Sequence, residues 1–265
     1  MVGAIVIVGP EMFATLGNSV KAPLACVEIL GQSVMERIAA ELKRTDVDEI
    51  TLLADGSLMA VRSEIEQATR DFTLRWTDDA WAETSQLLKS YRQAGVERAL
   101  IVRVSAYAEL DWSDLRQFHG AQNRDVTRAF DPQGPLDYWI IETAAMTDSD
   151  DVRPLLAAND VARCPVSGYV RRLEHPRDLR RLVADSLMSR CRLRPRGSEI
   201  RTGVWMEEGA QVHRKARIVA PAFLGRGSKI EEQCLITRCT NVESNSCVDY
   251  GTVVEDSSIL SNSYV

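Results

Sequence analysis

The sequence lacks the features that mark membrane, secreted or metal-bound proteins. It contains no stretch of about 18 uncharged apolar residues, the length a membrane-spanning helix needs. Residues 1–10 are too short an apolar run for a signal peptide and lack its basic flank. The 6 cysteines include no CxxC pair, so neither a zinc site nor a disulfide framework is indicated. We therefore expect a soluble, cytoplasmic protein with reduced cysteines and no membrane partner.

The charge pattern does not indicate nucleic-acid binding. The formal net charge is −6, but residues 171–217 are rich in arginine. Few aromatic side chains are interleaved with these basic residues, whereas single-stranded nucleic acids are usually held by both aromatic and basic side chains. We interpret the basic stretch as a solvated helix face and a linker, and nucleic acid is not an expected partner.

A six-residue period runs through the C-terminal part of the chain. From Ile200 onward the first residue of every hexad is apolar: Ile200, Met206, Val212, Ile218, Leu224, Ile230, Ile236, Val242, Val248, Val254 and Leu260. The residue four positions further on is small in nine consecutive hexads: Ala210, Ala216, Ala222, Ser228, Cys234, Thr240, Ser246, Thr252 and Ser258. This pattern predicts a left-handed parallel β-helix in which each apolar side chain stacks on its equivalent three hexads away. Ile218 should therefore pair with Ile236.

The N-terminal part alternates between buried strands and amphipathic helices. We predict strands at residues 4–8, 49–53 and 99–104, and helices at residues 33–43, 80–93 and 176–188. This alternation predicts an α/β domain with a mainly parallel sheet. We expect the α/β domain to span residues 1–190 and the second domain to span residues 191–265, with the regular repeat beginning at residue 200.

The loop after the first strand is a candidate nucleotide site because ligands collect at the carboxyl ends of parallel strands. It begins with Gly9 and Pro10. A phosphate-binding turn usually has several glycines that let backbone amides approach the oxygens, and this loop keeps one. Gly9 and Pro10 therefore predict at most a weak nucleotide contact.

Four segments, in this order and followed by the hexapeptide repeat, resemble the nucleotide-sugar pyrophosphorylases, the sugar-1-phosphate nucleotidyltransferases. They are AIVIVG at residues 4–9, PLACVEILG at 23–31, LIVRVSAYAELD at 100–111, and GY at 168–169 with HPRDL at 175–179. The resemblance covers most of the chain. It implies a Rossmann-like nucleotidyltransferase-type α/β domain followed by the left-handed β-helix, with a nucleotide or nucleotide-sugar as ligand.

The resemblance fails at the charged positions that the family's chemistry needs. The signature arginine falls at Ala14, the lysine of the Pro-Lys motif at Leu24, and the two metal-binding aspartates at Tyr107 and Arg172. A phenol and a guanidinium cannot replace carboxylate ligands of Mg²⁺. The departures imply a catalytically degenerate member without a metal or other cofactor, acting as an oligomerising, regulatory or binding subunit in nucleotide-sugar metabolism.

Two enzymatic alternatives remain open. A divergent but active sugar-1-phosphate nucleotidyltransferase would use Mg²⁺, with Lys21, Asp111 or Asp114 in compensating positions. Asp111 is also a candidate N-cap of a helix that would place His119 on its surface. A hexapeptide acyltransferase would use His213 as general base, but no long loop interrupts the hexads to form an acceptor pocket.

The end of the repeat indicates which partners to expect. Residues 262–265 are still in phase with the hexads, and no polar terminal coil follows them. Either the natural chain continues or another subunit covers this end. We expect a homo-oligomer formed through the β-helix, and an active pyrophosphorylase is a second candidate partner.

Overall fold

The computed structural model describes residues 2–9, 24–44, 47–69, 72–147 and 151–265. The chain divides into two compact units. The first comprises Met1–Cys26 and Met35–Arg172, and the second comprises Val27–Val34 and Leu173–Val265. The boundary expected at residue 190 thus lies inside the second unit, which also takes in a short segment from the N-terminal part of the chain. Pro10, Ala14 and Lys21 lie outside the described residues.

The first eleven strands are interspersed with helices along the chain. The strands are β1 Val2–Val8, β2 Glu28–Ile29, β3 Gln32–Ser33, β4 Glu49–Asp55, β5 Thr73–Thr77, β6 Arg98–Arg103, β7 Ala106–Ala108, β8 Val126–Asp131, β9 Gly134–Glu142, β10 Ala162–Pro165 and β11 Val170–Arg172. The α-helices are α1 Val34–Lys43, α2 Arg62–Ala68, α3 Ala80–Gln93, α4 Trp112–Gln122, α5 Val152–Leu156 and α6 Pro176–Leu187. Short 3₁₀ helices occupy Leu24–Cys26, Gly56–Val61 and Thr143–Ala145.

The first unit is built on a mixed, mainly parallel sheet of seven strands in the order β10-β8-β9-β6-β1-β4-β5. Strand β9 is antiparallel to both of its neighbours, and the other pairings are parallel. Six of the seven residues of β1 are buried, as expected for a central strand covered on both faces. The predicted α/β architecture is confirmed, and α3 has the predicted bounds because Asp79 caps its N-terminus.

The second unit contains eleven short strands from the repeat. They are β12 Ser198–Arg201, β13 Val204–Met206, β14 Gln211–Val212, β15 Arg217–Ile218, β16 Ala222–Leu224, β17 Lys229–Ile230, β18 Leu235–Thr237, β19 Thr240–Val242, β20 Cys247–Val248, β21 Val253–Glu255 and β22 Ser258–Ile259. From β13 onward they form three parallel sheets, β13-β16-β19-β22, β14-β17-β20 and β15-β18-β21.

The register of these sheets follows the hexads. Ile218 pairs with Ile236, as predicted, and Ile236 pairs with Val254. The apolar first positions form one continuous core, in which Ile236 and Val242 are completely buried. Each chain segment therefore pairs with the segment three hexads further on, an arrangement compatible with a parallel β-helix.

A small hairpin from the N-terminal part of the chain belongs to the second unit. Strands β2 and β3 pair in an antiparallel manner and are joined by Leu30 and Gly31. Both turn residues have positive φ, 55° and 86°, which is the conformation of a tight hairpin turn. Glycine is favoured at position 31, because a φ of 86° is strained for a residue with a Cβ.

Candidate ligand site at the carboxyl edge of the sheet

The order of the strands defines a switch point beside β1. From β1 the chain continues to β4 and β5 on one side and then crosses to β6 on the other side. Such a reversal opens a crevice at the carboxyl ends of the two central strands. Gly9 follows β1 directly, and the Val104 amide that follows β6 donates to the carbonyl of Ile7 at 3.1 Å. Gly9 is therefore placed at the edge where a ligand of this fold is expected.

A two-stranded ribbon follows β6 at this edge. Strand β7 pairs antiparallel with β11, with Tyr107 opposite Arg171 and Arg172 opposite Ala106. Tyr107 and Arg172, the two positions that the sequence resemblance assigns to metal-binding aspartates, thus lie in one ribbon, but their side chains are on opposite faces of it. They lie on neighbouring strands although they are 65 residues apart in sequence (172 − 107).

The guanidinium of Arg172 donates three hydrogen bonds to the β8–β9 hairpin. Nη2 donates to Oδ1 of Asp131 at 2.8 Å and to the carbonyl of Gly134 at 3.2 Å, and Nη1 donates to the carbonyl of Pro135 at 3.0 Å. The Asp131 side chain is only 6% exposed. A buried carboxylate needs such a partner, so Arg172 acts here as a structural cation that holds the hairpin.

Tyr107 is surrounded by aromatic and charged side chains. Its hydroxyl donates to Oε1 of Glu109 at 3.3 Å, and its ring centroid lies 6.2 Å from that of Tyr169. Arg171 Nε donates to the Tyr169 hydroxyl at 3.2 Å. The cluster places two aromatic rings and a guanidinium side by side, and such groups can stack on planar ligands and pair with anions.

The backbone next to this cluster is closely packed. The Glu109 amide donates to the carbonyl of Tyr169 at 2.8 Å and extends the ribbon by one pair. A Cβ at Gly168 would lie 2.2 Å from the Glu109 carbonyl oxygen. Gly168 is therefore needed for the close approach of the two chains, which fixes the position of Tyr169.

Asp111 and Asp114, the candidate substitutes for the family's missing catalytic residues, lie at the N-terminus of α4. Oδ1 of Asp111 accepts from the amides of Ser113 at 2.8 Å and Asp114 at 3.4 Å, so Asp111 is the predicted N-cap of α4. Asp114 lies in the first turn of α4, where a negative charge is favourable. The backbone of Leu24 lies in a 3₁₀ helix, and its side chain is outside what the structure describes. Within the described residues no three His, Cys, Asp or Glu side chains are grouped so that they could hold a metal ion.

The expectation that His119 lies on the helix surface is wrong. Its side chain is buried, with Nδ1 2.7 Å from Oγ1 of Thr127 and Nε2 3.0 Å from Oε1 of Glu142. Arg98 donates to the same Glu142 oxygen at 2.7 Å. Burial lowers the pKa of His119, although its hydrogen bond to Glu142 acts in the opposite direction. Because Thr127 is also completely buried, the imidazole of His119 is not accessible to a ligand, and we interpret its contacts as structural.

The sequence did not reveal Asp131, Glu109 or Arg171 as parts of this region. Asp131 begins the segment DPQG, a turn-like sequence, and its Oδ1 also accepts from the Gln133 amide at 2.9 Å. That local contact resembles an ordinary turn. The long-range partner of Asp131 is identified only when the β11 strand is placed beside β7.

The fold is similar to that of solved structures, among them HddC and a putative glucose-1-phosphate thymidylyltransferase. HddC from Yersinia pseudotuberculosis matches with a TM-score of 0.50 and 12% identity, covering 67% of this chain and 96% of HddC. HddC complexed with GMP-PN matches with a TM-score of 0.52 and 12% identity, covering 68% and 97%. A putative glucose-1-phosphate thymidylyltransferase from Bacillus anthracis, in complex with a sucrose, gives 0.51 and 13%, covering 68% and 93%.

These similarities concern the fold alone, because the identities are so low. The chain thus shares its fold with these solved structures over about two thirds of its length. No protein-family model and no curated protein sequence matches the chain. Among the described residues, no helix is long and apolar enough to cross a membrane.

Proposed function

We propose that this protein is a non-catalytic, nucleotidyltransferase-like binding subunit of nucleotide-sugar metabolism. The observation that carries the proposal is the ion pair between Arg172 and Asp131. The resembled family holds a metal-binding aspartate at the position of Arg172. In this chain the position carries a guanidinium that is hydrogen-bonded to the β8–β9 hairpin.

The residues do not fit the metal that the fold family implies. Mg²⁺ prefers carboxylate, carbonyl and water oxygens in near-octahedral geometry. Tyr107 supplies a phenol that is bonded to Glu109, and the fixed charge of Arg172 repels a cation. Nucleotidyl transfer of the family's kind needs that metal to neutralise the transferred phosphate, so these residues do not support the transfer.

The other features of this edge of the sheet are compatible with a binding role. The switch point lies beside β1, and the nearby ribbon carries the rings of Tyr107 and Tyr169 and the guanidinium of Arg171. A ligand with a planar group and an anionic group would suit this edge of the sheet. A nucleotide or nucleotide-sugar has both. The structures of HddC complexed with GMP-PN and of the Bacillus anthracis protein with a sucrose are consistent with such ligands on this fold.

The enzymatic alternatives receive less support from the described residues. Asp111 is occupied as a helix cap, and the divergent-transferase alternative then depends on Lys21, which lies outside the described residues. His213, the candidate base of an acyltransferase, accepts from the Lys215 amide through Nδ1 at 3.3 Å. That contact is typical of a turn residue.

The proposal also includes the second unit. We infer that its three parallel sheets are the faces of a left-handed β-helix of hexapeptide repeats, and that this helix is the assembly element. Its partners would be a second copy of the chain or an active pyrophosphorylase. The combination describes a cytoplasmic subunit that binds a ligand with one unit and assembles with the other.

Calorimetric titration with nucleoside diphosphates and their sugars tests the binding role. We expect binding that is unchanged when Mg²⁺ is replaced by EDTA, because no described residue at this edge provides a metal site. Tyr107→Ala should weaken binding at least tenfold, whereas Tyr250→Ala, which removes an exposed tyrosine of the repeat, should not change it. Binding that requires Mg²⁺, or no binding to any of these ligands, would contradict the proposal.

A further inference from the structure

Two glutamates are buried in one column of the repeat. The residues that directly follow the apolar positions Met206, Leu224, Val242 and Leu260 are Glu207, Gly225, Glu243 and Ser261. Glu243 is completely buried and Glu207 is 5% exposed. A carboxylate is costly to bury unless it is hydrogen-bonded, and the hexad pattern does not require a glutamate at either position.

The partners of Glu243 come from the hairpin β2–β3. Oε1 of Glu243 accepts from the Leu30 amide at 2.8 Å, and Oε2 accepts from the Gly31 amide at 3.0 Å. Asn241 Nδ2 donates to Oε1 at 2.5 Å. One carboxyl group therefore holds both backbone amides of the hairpin turn.

The turn has a conformation that needs this support. Leu30 has φ of 55°, which is unfavourable for a residue with a Cβ. Its side chain is completely buried, and its carbonyl accepts from the Arg196 amide at 3.0 Å. With its amide on Glu243 and its carbonyl on Arg196, the backbone of Leu30 is held on both sides.

Other charged groups surround the contact. Oε2 of Glu28, on the hairpin, accepts from the hydroxyls of Ser244 at 2.5 Å and Ser261 at 2.6 Å. Close to Gly31, Oε1 of Glu207 lies 3.6 Å from Arg196 Nε. The carboxylate of Glu207 also accepts from the amide of Arg226, whose side chain is exposed. Glu28 thus adds a negative charge near Glu243, while Arg196 is paired with Glu207.

We propose that Glu243 is a pH-dependent latch: the hairpin at residues 28–33 docks on the repeat with uptake of a proton by Glu243, and it undocks more readily when that proton is lost. The contact is a single buried carboxyl group that binds the two turn amides. Undocking would expose this group to water. The docked and undocked forms therefore differ in the environment of one ionisable group, which couples docking to pH.

The direction of the effect follows from burial. Burial raises the pKa of Glu243 from 4.5 to about 7, and the nearby Glu28 acts in the same direction, while the bonds from Leu30, Asn241 and Gly31 oppose it. An exposed glutamate has a pKa of about 4.3. The proton-linked stabilisation of the docked form is complete below the exposed pKa. It decreases as the pH rises toward 7, and it is lost above the docked pKa.

Hydrogen exchange of the Leu30 and Gly31 amides, measured by NMR on the full chain between pH 5 and pH 8, tests the latch. After correction for intrinsic exchange, protection of both amides should fall by up to about tenfold per pH unit from pH 5 to 7 and level off above it. The amides of Ile218 and Ile236 provide an internal reference for global unfolding. Relative to this reference, unchanged protection of Leu30 and Gly31 would overturn the proposal.

Two variants separate the latch from a general effect of pH. Glu243→Gln keeps the shape and an acceptor oxygen but cannot titrate, so the pH dependence at Leu30 and Gly31 should disappear. Glu231→Gln changes an exposed glutamate of the same repeat and should behave like the unmodified protein. A Glu243→Gln variant that keeps the full pH dependence would also overturn the proposal. If this variant does not fold, the exchange profile of the unmodified chain still decides.

Discussion

Arg172 and Asp131 form an ion pair at 2.8 Å in which the carboxylate is buried and the guanidinium is partly exposed. The same guanidinium donates to two backbone carbonyls of the hairpin. This arrangement explains why a cation is tolerated at a position where the resembled family has a metal-binding carboxylate. It also leads to a prediction about stability.

Arg172→Met should lower the free energy of unfolding by about 1–3 kcal/mol, because Asp131 would lose its charged partner while remaining buried. Arg124→Met provides a matched control, since Arg124 forms a more exposed pair with Asp160 at 3.7 Å, and it should change stability by less than about 1 kcal/mol. Urea unfolding measures both. Equal effects of the two substitutions would mean that the pair with Asp131 contributes no more to the free energy of unfolding than an exposed ion pair does.

The buried contact between His119 and Glu142 predicts a pH effect. Burial lowers the pKa of His119, so the ring should remain neutral in the folded protein at pH values where an unfolded histidine, with a pKa of about 6.5, begins to charge. The stability that this neutral state provides is present above about pH 6.5 and is lost as the pH falls through the folded pKa.

NMR chemical shifts of the His119 ring, followed as the pH is lowered, measure this directly. The expected midpoint is below about 6.5. His119→Gln should reduce the loss of stability on acidification, since glutamine has no proton to bind. A midpoint at or above the ordinary value would show that Glu142, and not burial, determines the charge state.

The paired core of the repeat predicts a large effect of a buried charge. Ile236 is completely buried between its register partners Ile218 and Val254. Ile236→Asp should therefore destabilise the second unit by several kcal/mol. Gln211→Asp places the same charge at an exposed strand position and serves as the control. A melting temperature unchanged by Ile236→Asp would contradict the register.

The proposed self-association predicts an oligomer at micromolar concentration. Several large side chains of the repeat are exposed, among them Val253 at 60% and Tyr264 at 72%. Val253→Glu or Leu260→Glu should weaken a dimer that buries this surface, whereas Met59→Glu, at an exposed position of the first unit, should not. Light scattering measures the mass. A stable monomer at these concentrations would contradict the proposed self-association.

The sequence predicted those parts of the fold in which geometry restricts the residue type. The stacked core needs an apolar residue every six positions, so the pairing of Ile218 with Ile236 could be predicted from spacing alone. The same holds for α3, whose bounds follow from the cap at Asp79 and the helical spacing of its buried residues.

Contacts between distant residues could not be predicted in this way. Leu30 and Glu243 are 213 residues apart, and neither local pattern indicates that the hairpin joins the second unit. His119 was misplaced for the same reason, since its partner Glu142 lies on a strand 23 residues further along the chain. At the candidate site, the resemblance identified Tyr107 and Arg172, but it gave no information about Asp131.

Release of pyrophosphate, measured with Mg²⁺ across nucleoside triphosphates and sugar 1-phosphates, tests the central claim most directly. We predict no release above the uncatalysed background for any pair of substrates, because Tyr107 and Arg172 stand at the positions where the resembled family has metal-binding carboxylates. An active pyrophosphorylase in the same assay serves as the positive control. Metal-dependent release by this protein, with turnover that increases with sugar phosphate concentration, would contradict the account and identify the chain as a divergent sugar-1-phosphate nucleotidyltransferase.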